Sequence, residues 1–142
     1  MTASLPRLGP RDLEALLRSH LPALDMTVFR VEAVEPMFVR VRLRTGEQHL
    51  RPGDTISGPT LMTLADTAML LVVLAMIGPE IATVTTSLNI HFLRRPAPSD
   101  LIAEARLLQL GKRLAVGEVT MYSEDEAAPV ALATVTYAVP PA

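Results

Sequence analysis

The longest apolar block of the chain lies at its centre, within the stretch Leu50–Pro79. Between residues 60 and 77 only four side chains are polar, namely Thr60, Thr63, Asp66 and Thr67. Gly78 and Pro79 follow directly, and this pair is a typical helix stop signal. A helix that is apolar nearly all round is normally buried. The pattern therefore predicts a long, buried central helix.

Before this block, the pattern changes from helical to strand spacing. Pro10 begins a short amphipathic helix, with Pro22 as its stop signal. Its apolar face carries Leu13, Leu16, Leu17 and Leu21. Two strands are predicted next, over Thr27–Val34 and Phe38–Arg44. In the second, Val39, Val41 and Leu43 face inward, and Arg40, Arg42 and Arg44 face outward.

After the central block, four more strands are predicted. The first, Ile81–Leu93, has mostly apolar residues at even positions and polar residues at odd positions, including Thr85, Asn89 and His91. One face of this strand should therefore lie on a core while the other does not. The remaining strands are Leu101–Leu110, Arg113–Tyr122 and Pro129–Val139. We expect the last four strands to pair as consecutive antiparallel hairpins.

These elements predict an α+β fold in which one antiparallel β-sheet wraps around a long central α-helix. Residues 1–142 form a single domain, with residues 1–25 as an N-terminal extension that contains the short helix. A sheet of this kind has open edges, which natural proteins cover or pair. Pairing of two edges would produce a homodimer.

Composition narrows the possible functions. The 142 residues are 49% hydrophobic, and their formal net charge is −2. The high hydrophobic content favours an oligomer, and the charge argues against nucleic acid as the main partner. Without cysteines and with three scattered histidines, the sequence predicts no metal site. The apolar run Ala68–Ile77 spans only about half of a bilayer core of ~30 Å, so we expect a soluble, cytoplasmic protein that does not bind membranes.

Asp66 is the first functional candidate, because a charged carboxylate in a buried helix costs free energy unless something satisfies it. The alternative is a helix acid that is hydrogen-bonded to local backbone. The residues alone leave both interpretations open.

The sequence resembles the hotdog-fold acyl-CoA thioesterases of the phenylacetate-pathway (PaaI-type) group over roughly Leu50–Val139. The resemblance rests on Ser57-Gly58-Pro59 followed by Leu-Ala-Asp-Thr-Ala at residues 64–68. It continues in Val84–Phe92 and in Arg-Arg-Pro-Ala at residues 94–97. Each motif alone is weak, but together and in this order they are fairly specific.

The resemblance implies roles for three residues. The Gly58 amide at the helix start polarises the thioester carbonyl, because the first N–H groups of a helix lack internal partners. Asp66 attacks that carbonyl or activates a water molecule as general base. Thr85 lies within about one residue of the family's hydroxyl position, which orients the water or the acid. In such relatives the glycine and the acid come from opposite subunits of a dimer, and we expect this protein to be a homodimer or a tetramer of paired dimers.

Other candidate residues surround this set. Relatives often carry His-Gly-Gly where this chain has Ser57-Gly58-Pro59, and Ser57 can still donate a hydrogen bond. Arg51 stands where some relatives place an asparagine. Asn89 is a substrate contact or, alternatively, a structural hydrogen-bonding residue at an interface. Four basic residues could bind the phosphates of coenzyme A or belong to solvated turns, namely Arg94, Arg95, Lys112 and Arg113.

The leading hypothesis is an acyl-CoA thioesterase that needs no cofactor, with coenzyme A entering only as part of the substrate. A hotdog hydratase or dehydratase is a second possibility, although that chemistry uses a His and acid pair and no His lies within residues 51–77. A third possibility is a protein that binds acyl-CoA or another ligand without turnover.

Overall fold

A helix of 20 residues, α2 (Gly58–Ile77), packs against one face of a six-stranded antiparallel sheet in the computed structural model. The structure describes residues 4–21 and 26–141. The predicted helix stop at Pro22 and parts of the predicted extension, residues 1–3 and 22–25, lie outside them. The other elements are α1 (Pro10–His20), β1 (Phe29–Glu35), β2 (Phe38–Leu43), β3 (Leu50–Arg51), β4 (Thr55–Ile56), β5 (Val84–Phe92), β6 (Leu101–Leu110), β7 (Leu114–Ser123) and β8 (Ala131–Ala138).

The central helix begins at Gly58, the start that the resemblance implied, and ends at Ile77, directly before the predicted stop signal. Ser57 caps it, because its Oγ accepts a hydrogen bond from the Thr60 amide at 3.3 Å. Gly78 ends it at a φ of 98°, a backbone conformation that favours glycine, and donates its N–H to the Leu74 carbonyl. Twelve of its residues are buried, from Leu61 to Met76. Hydrophobic burial over this length makes α2 the centre of the core.

The strand order β1-β2-β6-β7-β8-β5 confirms one antiparallel sheet but corrects one predicted pairing. Strands β6, β7 and β8 form consecutive hairpins as expected. Strand β5 does not pair with β6; it crosses to the far side of the sheet and pairs with β8. The prediction was wrong because sequence order favours adjacent pairing, whereas the connection from α2 leads the chain to the opposite edge.

The core lies between α2 and the inward residues of the sheet. Val39, Val41 and Leu43 of β2 are buried, which confirms their predicted orientation. Helix α1 also contributes to this core through Leu13 and Leu17. Its Glu14 carboxylate accepts a hydrogen bond from the Val31 amide at 2.8 Å, which ties α1 to the first strand.

Strand β5 forms an edge of the sheet and is largely exposed along its length. Leu88 and Ile90 pack against the core, whereas Val84 and Phe92, expected on the same face, are more than half exposed. The predicted alternation therefore holds in the middle of the strand only. An exposed edge strand of nine residues offers free backbone groups to another strand.

By length and hydropathy, α2 is the one helix in the described part of the chain that could cross a membrane. It is mostly buried inside the protein, as the core helix of a soluble fold is.

Candidate active site

The Asp66 carboxylate on α2 accepts hydrogen bonds from two hydroxyl groups of the sheet. Thr85 Oγ1 lies 2.6 Å from Asp66 Oδ1, and the Tyr137 hydroxyl lies 2.7 Å from the same oxygen. In the described part of the chain, no donor bonds the second oxygen, Oδ2. The carboxylate is therefore held at one oxygen and free at the other.

A β-bulge places Thr85 in this position. Leu88 and Ile90 face the core from even positions of β5, so a regular strand would turn Thr85 to the other face. The pairing with β8 shifts between Thr85 and Ser87, which leaves Thr86 as the extra residue. Thr85 then stands opposite Tyr137, and both side chains point toward α2.

Tyr137 is the residue of this site that the sequence analysis missed. Its side chain is 3% exposed, and its hydroxyl also lies 2.8 Å from the Asp66 backbone carbonyl oxygen. Burial raises the pKa of Tyr137 far above its ordinary value of 10.0. A hydrogen bond with the Thr85 side chain partly lowers this pKa, and the negative charge of Asp66 raises it further. In the sequence, the signal for Tyr137 was a hydroxyl group on the otherwise apolar, inward-facing side of β8.

The first turn of α2 leaves one backbone amide uncommitted. The Thr60 and Leu61 amides donate to the Ser57 hydroxyl and carbonyl, and Pro59 has no N–H. For the Gly58 N–H, the described residues provide no hydrogen-bond acceptor. A Cβ added at Gly58 would meet only the Phe92 ring, at 3.5 Å, which is an ordinary van der Waals contact. Packing within the chain therefore does not require a glycine at position 58.

Ser57 acts as the helix cap. Its Oγ is 2.7 Å from Thr60 Oγ1 and accepts the Thr60 amide. These bonds satisfy the Thr60 amide and hold the Ser57 hydroxyl in its capping position. They place Ser57 next to the candidate oxyanion donor.

Gly58 and Asp66 do not meet within one chain. Eight residues separate them on the same helix, which corresponds to about 12 Å along its axis at ~1.5 Å per residue. A thioester carbonyl must lie about 3 Å from both an oxyanion donor and an attacking group. One chain therefore presents two separated halves of a site.

Three predicted arginines line a groove of about 410 Å³ beside the start of α2. Arg51, Arg94 and Arg95 share this groove with Gly58 and Phe92. An Arg95 guanidinium nitrogen donates to the Gly53 carbonyl at 3.3 Å, and Arg94 Nε donates to the Pro129 carbonyl at 3.1 Å. The groove therefore combines a concentration of positive charge with the free Gly58 amide.

Lys112 and Arg113 lie elsewhere. They line a separate groove of about 660 Å³ with residues near the end of α2, including Met76 and Ile77. In one chain, the two basic pairs are therefore at opposite ends of the central helix. Asn89 lies in the middle of the exposed strand β5, apart from both grooves.

Across the described ranges 4–21 and 26–141, no group of three or more His, Cys, Asp or Glu side chains is arranged to hold a metal ion.

Comparison with known families identifies the class of protein. The thioesterase superfamily model matches residues 53–130, a segment that includes Gly58, Asp66 and Thr85. The chain therefore belongs to the thioesterase superfamily. This confirms the resemblance, the hotdog fold and thioester hydrolysis as the general activity. No protein of curated function matches the sequence.

Solved structures agree with this assignment. A candidate thioesterase from Silicibacter sp. TM1040 is 39% identical, with 96% of this chain and 94% of that chain covered and a TM-score of 0.86. The phenylacetic acid degradation protein PaaI from Thermus thermophilus is 28% identical over 84% of this chain and 99% of that chain, with a TM-score of 0.71. Zebrafish thioesterase superfamily member 2, at 21% identity, covers 92% and 95% with a TM-score of 0.78 and supports the fold alone.

Proposed function

We propose that the protein hydrolyses acyl-CoA thioesters to the free acid and coenzyme A, with Asp66 as nucleophile or general base and Gly58 as oxyanion donor. The observation that carries the proposal is the Asp66 carboxylate, whose Oδ1 accepts two hydroxyl donors while Oδ2 has none in the described structure. A carboxylate held in this way is oriented by its hydroxyl donors. Oδ2 attacks the carbonyl carbon or takes a proton from the attacking water, and the C–S bond then breaks to release the thiol.

The active site is formed by two chains. Thr85, near one end of β5, bonds Asp66, and Phe92, at the other end, lies beside Gly58. Antiparallel pairing of two β5 strands around Leu88 or Asn89 brings Thr85 to within about one residue of the partner subunit's Phe92. Asp66 then faces the partner subunit's Gly58, so each dimer has two complete sites. Asn89 lies at the centre of this interface.

The uncovered face of α2 supports the same dimer. Pro59, Met62, Thr63, Asp66 and Leu70 follow helical spacing and remain exposed or partly buried in one chain. Met62 is 44% exposed, which is unusual on an otherwise buried apolar helix. A second chain would cover this face and exclude water from the carboxylate. Two such dimers could associate further into a tetramer.

The arginine groove supports coenzyme A as the thiol part of the substrate. Arginine binds phosphate oxygens with paired donors, and three arginines line the groove that contains Gly58. A nucleotide bound there would direct the thioester toward the Gly58 amide. Lys112 and Arg113 remain candidates for the same role. In the antiparallel dimer their end of α2 lies toward the partner subunit's Gly58.

The cytoplasmic location also stays a prediction.

Thiol release from a panel of acyl-CoAs tests this function. We expect Asp66→Asn to lower kcat by about 10²-fold or more, because it removes the general base or nucleophile. Asp125→Asn makes the same chemical change in an exposed turn, at a φ of 64° that asparagine tolerates, and should match the wild type. No thiol release from any acyl-CoA would contradict hydrolysis and favour a binding protein. Release that Asp66→Asn leaves unchanged would exclude Asp66.

N-acetylcysteamine thioesters of the best acyl group test the thiol part separately, since they keep the thioester and lack the nucleotide. If the arginine groove binds phosphates, KM should be clearly lower for the acyl-CoA than for the truncated thioester. Equal KM values would argue against coenzyme A recognition by these arginines.

A further inference from the structure

We infer that Tyr137 is a positioning residue of the active site, which fixes the Asp66 carboxylate so that Oδ2 faces the thioester. This inference rests on the proposed function of Asp66 and adds a residue to it. Tyr137 is the one side chain in the described structure that bonds both the carboxylate and the backbone of the catalytic acid.

The two bonds anchor Asp66 to the sheet. The Tyr137 hydroxyl carries one proton and lies 2.8 Å from the Asp66 carbonyl oxygen and 2.7 Å from Oδ1. Whichever oxygen accepts the proton, the hydroxyl remains against Asp66. Because the ring is buried in β8, the hydroxyl is held in place by the packing of the core. The position of Asp66 is thus set by the sheet as well as by its own helix.

Thr85 and Tyr137 have complementary positions. Both bond Oδ1, but Thr85 is on the exposed edge strand, whereas Tyr137 is on the interior side of the same strand pair. When both hydroxyls donate to Oδ1, they fix the rotation of the carboxylate about its Cβ–Cγ bond. Oδ2 is then directed away from both donors. Loss of either donor frees this rotation.

The high pKa of Tyr137, which results mainly from burial, keeps its hydroxyl protonated through the working pH range. Tyr137 therefore donates a hydrogen bond and does not act as a base. Removal of the Tyr137 hydroxyl should leave the binding of the acyl-CoA unchanged, because this hydroxyl contacts Asp66 on the side away from the substrate.

Tyr137→Phe tests the inference in the full chain. We expect kcat to fall by about 10- to 100-fold while KM changes by less than about twofold, since positioning acts on the transition state. Tyr122→Phe removes the hydroxyl of the only other tyrosine and should match the wild type. In the Asp66→Asn background, Tyr137→Phe should cause no further loss. If the tyrosine were only structural, the loss would be the same in both backgrounds.

A spectroscopic readout does not depend on activity or on the folding of Tyr137→Phe. In Tyr122→Phe protein labelled with 3-fluorotyrosine, the single ¹⁹F signal reports on Tyr137. We expect Asp66→Asn to shift this signal, whereas Asp125→Asn should not. If Asp66→Asn leaves the signal unshifted, or if the wild type is active and Tyr137→Phe is equally active, the inference about Tyr137 is overturned while the proposed function stands. An inactive wild type with a shifted signal would instead overturn the proposed function and keep the contact.

Discussion

At Gly58, the packing of the described chain does not require a glycine, whereas the proposed function gives its amide a role in the chemistry. A Cβ added at Gly58 would meet only the edge of the Phe92 ring, at ordinary van der Waals distance. Gly58 is also the first residue of α2, so it has the backbone geometry of a helix. Nothing in residues 4–21 and 26–141 therefore selects glycine there. Under the proposed function, a glycine at this position allows a ligand to approach its amide closely.

We therefore expect Gly58→Ala to lower kcat/KM by about 10- to 100-fold, because the added methyl group displaces the carbonyl from the amide. Thermal stability should be unchanged or slightly higher, since alanine is the better helix former. Thiol release and a melting curve measure the two effects. Gly9→Ala, whose Cβ would lie 3.7 Å from Asp12 Oδ2, is the control at a distant helix start. Full activity of Gly58→Ala would mean that the thioester does not approach this amide closely enough to require a glycine.

Tyr137 also predicts a specific loss of stability at high pH. Its pKa is raised in the folded state, so above pH 10 the unfolded chain loses a proton that the folded chain keeps. Its contribution to stability is complete below about pH 10 and is lost as pH rises further, by up to about 1.4 kcal/mol per pH unit. Urea unfolding between pH 8 and 11 measures this loss. Tyr137→Phe should remove that component of the slope, whereas Tyr122→Phe should retain it. Equal slopes in all three proteins would contradict the buried, protonated state.

At the scale of elements, the distance between α2 and β7 is set by the absence of a side chain at Gly117. A Cβ at this position would lie 2.7 Å from the Arg106 carbonyl oxygen and 2.8 Å from Met69 Sδ. Met69 is three residues after Asp66 on α2, so this contact helps to hold the acid near Tyr137.

Gly117→Ala should therefore destabilise the protein by about 1–3 kcal/mol, as overpacking of a filled core does. Backbone at Arg106 cannot move aside as a flexible side chain can. Urea unfolding of the variant and of the wild type measures the change. Unchanged stability would mean that helix and sheet are farther apart than the structure shows.

The sequence was most informative where the periodicity is local. The apolar run of α2 and the alternation in β2 predicted those elements to within two residues. The bulge after Thr85 was not predictable, because it depends on how β5 aligns with β8, far away in the sequence. Tyr137 was missed for the same reason: along its own strand it fits the pattern of a core residue. The pairing of β5 with β8 is what gives its hydroxyl a partner.

At the scale of the whole molecule, the separation of Gly58 from Asp66 distinguishes a shared site from a site within one chain. Mixing the two impaired variants tests this directly. When Gly58→Ala and Asp66→Asn chains are refolded together, each mixed dimer combines an intact Asp66 from one chain with an intact Gly58 from the other.

We expect such a mixture to regain about a quarter of wild-type activity, because about half of the dimers are mixed and one of their two sites is intact. Thiol release after co-refolding, compared with the two variants refolded separately, measures this gain. The matched control mixes wild-type chains with the double variant Gly58→Ala/Asp66→Asn. There every mixed dimer lacks an intact site, so activity should fall to about a quarter and not to about half. If the first mixture has only the mean activity of its two variants, and the control mixture retains about half of the wild-type activity, each chain contains its own complete site.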